Sequence, residues 1–535
     1  MAVAASRDSS AVPGGVFSRQ SSGLVRQVRS DDVMFYGWQQ IALGYIIFIV
    51  FAWQFYPGAS MEGAAIIATV GGVFLAMCYA LLTITYPRSG GDYVFMSRIL
   101  HPSVGFSMGF SMAFWEIFYF GINGAFLSIY GMAPLFSTLG VQEHSSSLAS
   151  VGNWFAGHTG TFITGSVMIV VFAFIQHRGV GLYFRTQRWA SYIALASIVT
   201  TIVTLSLAAT GVLNFESHFN AVAGHNAYNN VIQAAKSSGV DLSPGFSFTK
   251  TADFSLWPAF SLWFAVISVT FAGEIKDVRK GTLLGINGAV VTMGVIMTVL
   301  FVLYRAAFGS QFLLASTVVP ASKFPLPASP YVNLFTGLAG GNAVLTVVNS
   351  LWVILILFYV GGTTLVYSTR SMVAWGIDGV VPDHLADVSG KHHTPTWAIL
   401  VALVLAEVWL GLYSYTTILA VLSGYLGFAL PFMAASVTAI VFPLLRKNTF
   451  ESSPVAWRVA GIPVVSIFGL VAFAFTVYLT VRLLQDNAFG ANHTFSILMA
   501  VAVFCGAFVW FFAFRWYKMR SGLQIDRRFG EIPVE

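Results

Sequence analysis

Glu116 stands in Phe114-Trp115-Glu116-Ile117-Phe118, an apolar run with no Lys or Arg three or four positions away. A carboxyl carried to the middle of a bilayer costs about 2.5–3.5 kcal/mol, so it turns inward and finds a partner. Desolvation favours an acid's neutral form, which suits a proton-coupling site. The same position serves equally well as a protonated or hydrogen-bonded strut between helices. Glu407 is a second, less central acid, and Glu62 falls where an apolar run begins. Acids and bases also gather where apolar runs end, at Arg88, Glu274 and Asp378. Such groups can close a gate, for example Glu274 or Asp378 with Arg88, or simply make turns and anchor to lipid. None of this is enzyme chemistry. Gly105-Phe106-Ser107-Met108-Gly109 has the spacing of a nucleophile elbow, but it opens an apolar run and lacks the strand and base that motif needs. His384, His392 and His393 lack a Cys or carboxylate ligand pattern, so no metal and no cofactor are expected. Cys78 and Cys505 both fall inside apolar runs, which rules out a disulfide framework.

The elements that carry these residues are apolar runs of about 20 residues, the length that spans a bilayer. There are twelve, near 35–56, 62–86, 102–136, 159–177, 186–213, 256–274, 283–308, 341–375, 395–413, 415–445, 461–484 and 495–517. Composition agrees: 57% of residues are hydrophobic and 9% charged, where a soluble domain has roughly 25% charged. Placing the N-terminus in the cytoplasm leaves only Lys236, Lys250, Arg305, Lys323 and Arg482, of 27 Lys and Arg, on the outer side. The positive-inside rule therefore puts both termini in the cytoplasm. Basic inner loops against anionic headgroups account for the pI near 9.2, and no nucleic-acid partner is needed. Residues 1–34 read as a disordered basic tail rather than a signal peptide, because they lack a long apolar core. The outer segments 214–255 and 309–340 either fold over a vestibule or merely connect. Asn492-His493-Thr494 is a glycosylation sequon in form.

Three stretches carry a resemblance. The first is Pro87-Arg88-Ser89-Gly90-Gly91-Asp92-Tyr93, followed by Leu100-His101-Pro102-Ser103-Val104-Gly105-Phe106. The second is Ala272-Gly273-Glu274-Ile275-Lys276-Asp277-Val278-Arg279-Lys280, with Val278 where Pro is usual. The third runs from Arg370 through Asp378-Gly379 to Pro382, then Thr394-Pro395. In this order, all on the cytoplasmic side, they resemble the amino acid–polyamine–organocation superfamily of secondary transporters. The resemblance implies an all-α integral membrane protein with a LeuT-like 5+5 inverted repeat over residues 35–445. Two extra helices over 446–519 and a cytoplasmic tail over 520–535 complete the chain. It also implies a small-molecule substrate, an amino acid or organic amine, held between the first and sixth helices, each broken near mid-membrane. Such breaks expose backbone dipoles that suit a carboxylate and an ammonium.

By this resemblance the first break falls on Gly44, Tyr45 and Ile46, and the second on Leu262, Trp263, Phe264 and Ala265, with Phe260 and Ser261 immediately before and part of the same binding region. Phe260 takes the place of an outer-gate aromatic. Only Gly44 keeps the small residues usual at these breaks. Either the pocket is smaller or more apolar and takes a hydrophobic amino acid or an amine, or the helices are nearly continuous. In the second case the chain is a non-transporting subunit or sensor with a membrane partner. Proton or sodium coupling is open: the eighth helix offers Asn349, Ser350, Thr363 and Thr364 to sodium. Leu195-Ala196-Ser197 lacks the lysine that some proton-coupled relatives place on the fifth helix.

Overall fold

The computed structural model describes residues 23–419, 421–521 and 525–529. Residues 1–22 of the expected N-terminal tail, and 522–524 and 530–535 of the C-terminal one, lie outside the described residues. Within them are twelve helices long and apolar enough to cross a membrane. They are α1 (Ser30–Phe55), α2 (Met61–Thr85), α3 (Pro102–Gln142), α4 (His158–His177), α5 (Val180–Ala209) and α6 (Phe248–Thr270). The second half comprises α7 (Val278–Phe308), α8 (Ala343–Asp378), α9 (Thr396–Tyr415), α10 (Tyr425–Leu445), α11 (Val464–Gln485) and α12 (Thr494–Arg520).

Helix ends follow local chemistry. α1 starts at Ser30, ahead of the expected 35, because Asp31 and Asp32 occupy its first turn and favour its positive end. The Asp32 carboxylate accepts from the Arg29 amide at 3.0 Å. Residues just before it are held too, since the Gln27 and Val28 amides donate to the Glu274 carbonyl at 3.0 and 2.9 Å. Ser60 caps α2 through the Gly63 amide, and Asn342 caps α8 through Leu345. Gly379, at φ 78°, ends α8 in the left-handed conformation that glycine adopts without strain.

The Gly90-Gly91 turn is demanded twice over. Both residues have positive φ, 99° and 52°. A Cβ on Gly90 would also lie 2.3 Å from the Ala374 Cβ, and one on Gly91 2.9 Å from the Thr270 Cα. The turn thus seats the short helix Gly91–Ile99 between α6 and α8.

α1 and α6 are the most enclosed spans, while α11 and α12 are among the most exposed. α3 and α8 pack on each other and flank that centre. On the face away from the basic loops, the helix Ala227–Ser237 packs on Ser310–Val318. There Tyr228 stacks on Phe312 with ring centroids 4.5 Å apart. The two long segments 214–255 and 309–340 therefore form one aromatic-cored layer rather than loose connectors.

Candidate functional site

α1 is interrupted at Ala42, which takes φ 49° and ψ 56°. This left-handed conformation costs an alanine roughly 1–2 kcal/mol. A short 3₁₀ turn, Leu43–Tyr45, follows before the helix resumes at Ile46. The Tyr45 amide turns to the Ala42 carbonyl at 2.7 Å. The Ile41 carbonyl receives the Ser261 hydroxyl of α6 at 2.5 Å instead. α6 keeps α-helical geometry to Leu262, then overwinds into 3₁₀ geometry over Trp263–Thr270. Eight residues is long for that conformation, whose hydrogen bonds are poorer.

The interruption thus falls two residues before Gly44. Gly44 itself packs on α8, where a Cβ would lie 3.1 Å from the Leu357 Cγ. Helix–helix approach, not ligand room, explains that glycine. Trp263 donates its indole N–H to the Ala68 carbonyl of α2 at 3.1 Å. Ile46, Leu262 and Ala265 are buried among other side chains and do not line the central cavity.

Tyr45, Phe260 and Ser261 do line it. The cavity has a volume of about 170 Å³ and is walled mostly by aromatic rings. Phe260 meets Tyr425 of α10 with centroids 5.0 Å apart. Over both sits Phe489, from the loop joining α11 and α12, 4.4 Å from Trp257 and 4.7 Å from Tyr425.

Beneath lies a second void of about 30 Å³, reached by Tyr45, Phe264, Gln40, Asn123 and Glu116. Glu116 is buried, and both its oxygens accept from the Gln40 amide at 3.2 Å. The Tyr45 hydroxyl donates to Asn123. The linings of the two voids contain no Lys, Arg or His, so Glu116 is their one formal charge. Sequence reasoning missed Gln40, Tyr119, Asn123, Tyr425 and Phe489. A signal existed for two of them: Tyr119 and Asn123 follow Glu116 at i+3 and i+7, on one helical face.

On the basic side, three acids of the bundle are held by arginines. Arg370 grips Glu274 at 2.9 and 3.3 Å, both fully buried. Arg98 meets Asp378 at 2.7 Å, and Tyr93 donates to the same carboxylate at 2.6 Å. Arg188 meets Asp32 at 2.7 Å. The expected partner Arg88 is in neither of the first two pairs; its guanidinium donates to the Pro87 carbonyl at 3.1 Å. The physical reason is position: Arg370 and Arg98 project from helices that face these acids, whereas Arg88 sits in the turn after α2. The short helix is also tied to α6 through the Gly90 amide and Thr270 carbonyl at 2.8 Å.

Other polar residues singled out in sequence are bonded within their own helix or to a neighbouring one. Thr363 and Thr364 donate to carbonyls of their own helix at 2.7 Å, and Ser350 does so at 2.8 Å, a common habit of membrane hydroxyls. Asn349 donates to Thr204 of α5 at 3.2 Å. Glu407 accepts from Ser166 at 2.7 Å, and Glu62 meets Arg305 at 2.5 Å. Ser107, of the nucleophile-like spacing, lies within α3 and donates to the Phe504 carbonyl.

A protein-family model described as amino acid permease matches residues 40–509, nearly the whole twelve-helix body. No curated protein matches the chain.

Proposed function

We propose that this chain, which belongs to the amino acid permease family, moves apolar amino acids or related organic amines across the cell membrane by alternating access. The observation that carries the reading is the cavity itself: aromatic walls, one buried carboxylate and no basic side chain. Such a site favours an ammonium group on an apolar body. Ring faces attract the cation by about 0.5–2 kcal/mol, and Glu116 supplies or releases the opposite charge. A cargo carboxylate would be left to backbone dipoles at the Ala42 interruption.

The irregularity of both α1 and α6, the first helices of the two expected repeats, supports the inverted-repeat arrangement. The distribution of Lys and Arg supports cytoplasmic termini. The buried pairs Glu274–Arg370 and Asp378–Arg98 then act as the inner gate, with Arg88 in the turn after α2 beside it. Glu116 is the coupling group, which makes the proton the driving ion.

The rival reading is a non-transporting subunit that keeps the bundle. It calls for an unbroken α1, so the left-handed turn at Ala42 favours transport. The test is uptake into proteoliposomes of a labelled panel of apolar amino acids and amines under imposed pH and sodium gradients. Uphill accumulation driven by a pH gradient is expected, and its loss in Glu116→Gln. Unchanged accumulation and pH dependence in that variant would remove Glu116 from the mechanism. Transport of nothing in the panel, with tight co-purification of another membrane protein, would favour the rival.

A further inference from the structure

The central cavity is small. An apolar cavity of roughly 150 Å³ holds one benzene ring, and this one measures about 170 Å³. By itself it takes an ammonium on a body about one ring in size. A larger chamber of about 540 Å³ lies against it, between α3, the start of α4 and the end of α9. The chamber's described lining holds no Asp, Glu, Lys or Arg. His158, at its α4 side, is turned to the Ser414 carbonyl at 2.5 Å. His158, Thr416 and Thr417 are exposed, so the chamber is open on the face away from the basic loops.

Tyr119 and Phe126 line both spaces. They are seven residues apart in α3, which puts them on one helical face. The Phe126 ring meets Phe48 on the cavity side, with centroids 5.3 Å apart, and Tyr413 on the chamber side at 6.1 Å. Tyr119 meets Tyr425 on the cavity side at 6.0 Å and Phe118 on the chamber side at 5.1 Å. At each position the partition is one ring thick.

The backbone behind the partition is irregular. Directly after Phe126, Leu127–Met132 is π-helical, a widened turn found frequently at functional sites. The Leu127 amide is divided between the Asn123 and Gly124 carbonyls. The turn that carries Phe126 thus sits between two hydrogen-bond registers.

We propose that Tyr119 and Phe126 determine cargo specificity, by parting to let the apolar tail of an arylalkylamine reach from the central cavity into this chamber. The ammonium stays with the rings of the cavity and the Glu116 carboxylate below, while the tail crosses the partition. A ring with a void on either side gives up few contacts when it swings, and each methylene buried beyond it favours binding. Phe489 limits the cavity from its roof; the partition limits it from the side. The proposal rests on the reading of the cavity as an amine site.

Calorimetric binding of benzylamine and phenylbutylamine to the full chain in lipid nanodiscs tests it. The readout is the ratio of the Kd for phenylbutylamine to that for benzylamine, in which uptake of the amines by lipid is common to parent and variants. The parent should bind both. Thr417→Trp fills the chamber from an exposed position outside the central cavity. It should raise the ratio about tenfold, the loss expected when two methylenes are shut out. Phe126→Trp thickens the partition and should also raise the ratio, whereas Phe126→Ala should lower it. If the Phe126 variants do not fold, Thr417→Trp decides. A ratio unmoved by Thr417→Trp, or a parent that binds benzylamine alone, overturns the partition and leaves the amine site standing. A parent that binds neither amine overturns both.

Discussion

The Ser261 hydroxyl of α6 and the Ile41 carbonyl of α1 are 2.5 Å apart, so one helix satisfies the acceptor that the Ala42 turn leaves without a helical amide. Burial makes that bond matter, because an unmet buried polar group costs about 1–3 kcal/mol. Ser261→Ala should destabilise the protein by that amount and lower the transport rate. Ser261→Thr, which keeps the hydroxyl, should restore much of both. Thermal unfolding followed by size-exclusion chromatography, alongside uptake, checks this; an unchanged melting temperature in the alanine variant would contradict it.

The Glu274–Arg370 pair is expected to dominate stability on the basic side. Arg370→Ala leaves Glu274 fully buried without its cation, a loss of about 3–5 kcal/mol. The exposed pair Arg458–Glu451 offers the control: Arg458→Ala should cost under about 1 kcal/mol. Comparable losses in the two variants would show that Glu274 finds another partner or water.

Stability should also depend on pH through Asp92. Burial pushes its carboxyl up from an ordinary 3.8 to about 6. Between those values the folded state holds a proton that the unfolded chain has released. Stability contributed by this group therefore falls as pH rises from about 4 to 6, by roughly 3 kcal/mol in all, and is level above that. Asp92→Asn should lack this component. Melting temperatures of the two proteins across that range, taken as a difference, cancel the other titrating groups; a flat difference would refute the assignment.

Phe489 should set the size of cargo admitted. It roofs the cavity from a loop outside the first ten helices, against Trp257 and Tyr425. Aromatic contacts of this kind contribute about 0.5–1.5 kcal/mol. Phe489→Ala should thus weaken small cargo by roughly twofold to tenfold in KM while admitting bulkier amines. Phe489→Trp should exclude the larger ones. Competition by amines of graded size would show it, and an unaltered size limit in both variants would disprove it.

Twelve spans and the transporter class were legible in the sequence because a bilayer imposes local rules. Each crossing needs about 20 apolar residues, and each backbone must satisfy itself within its own helix. The motif glycines were legible for a related reason, since a chain reversal at Gly90-Gly91 tolerates few other residues. Glu116 stood out because an acid amid aromatic residues has no local explanation. Other features depended on distant parts of the chain. Glu274 and Asp378 choose arginines 96 and 280 residues away, which no periodicity encodes. The interruption falls on Ala42 rather than Gly44 because Ser261 supports the freed carbonyl and Leu357 claims the space beside the glycine. Phe489 reaches the cavity only because α11 and α12 bring their connecting loop over it. Helix formation answers to neighbours along the chain, whereas pairing of charges and walling of a cavity answer to neighbours in space.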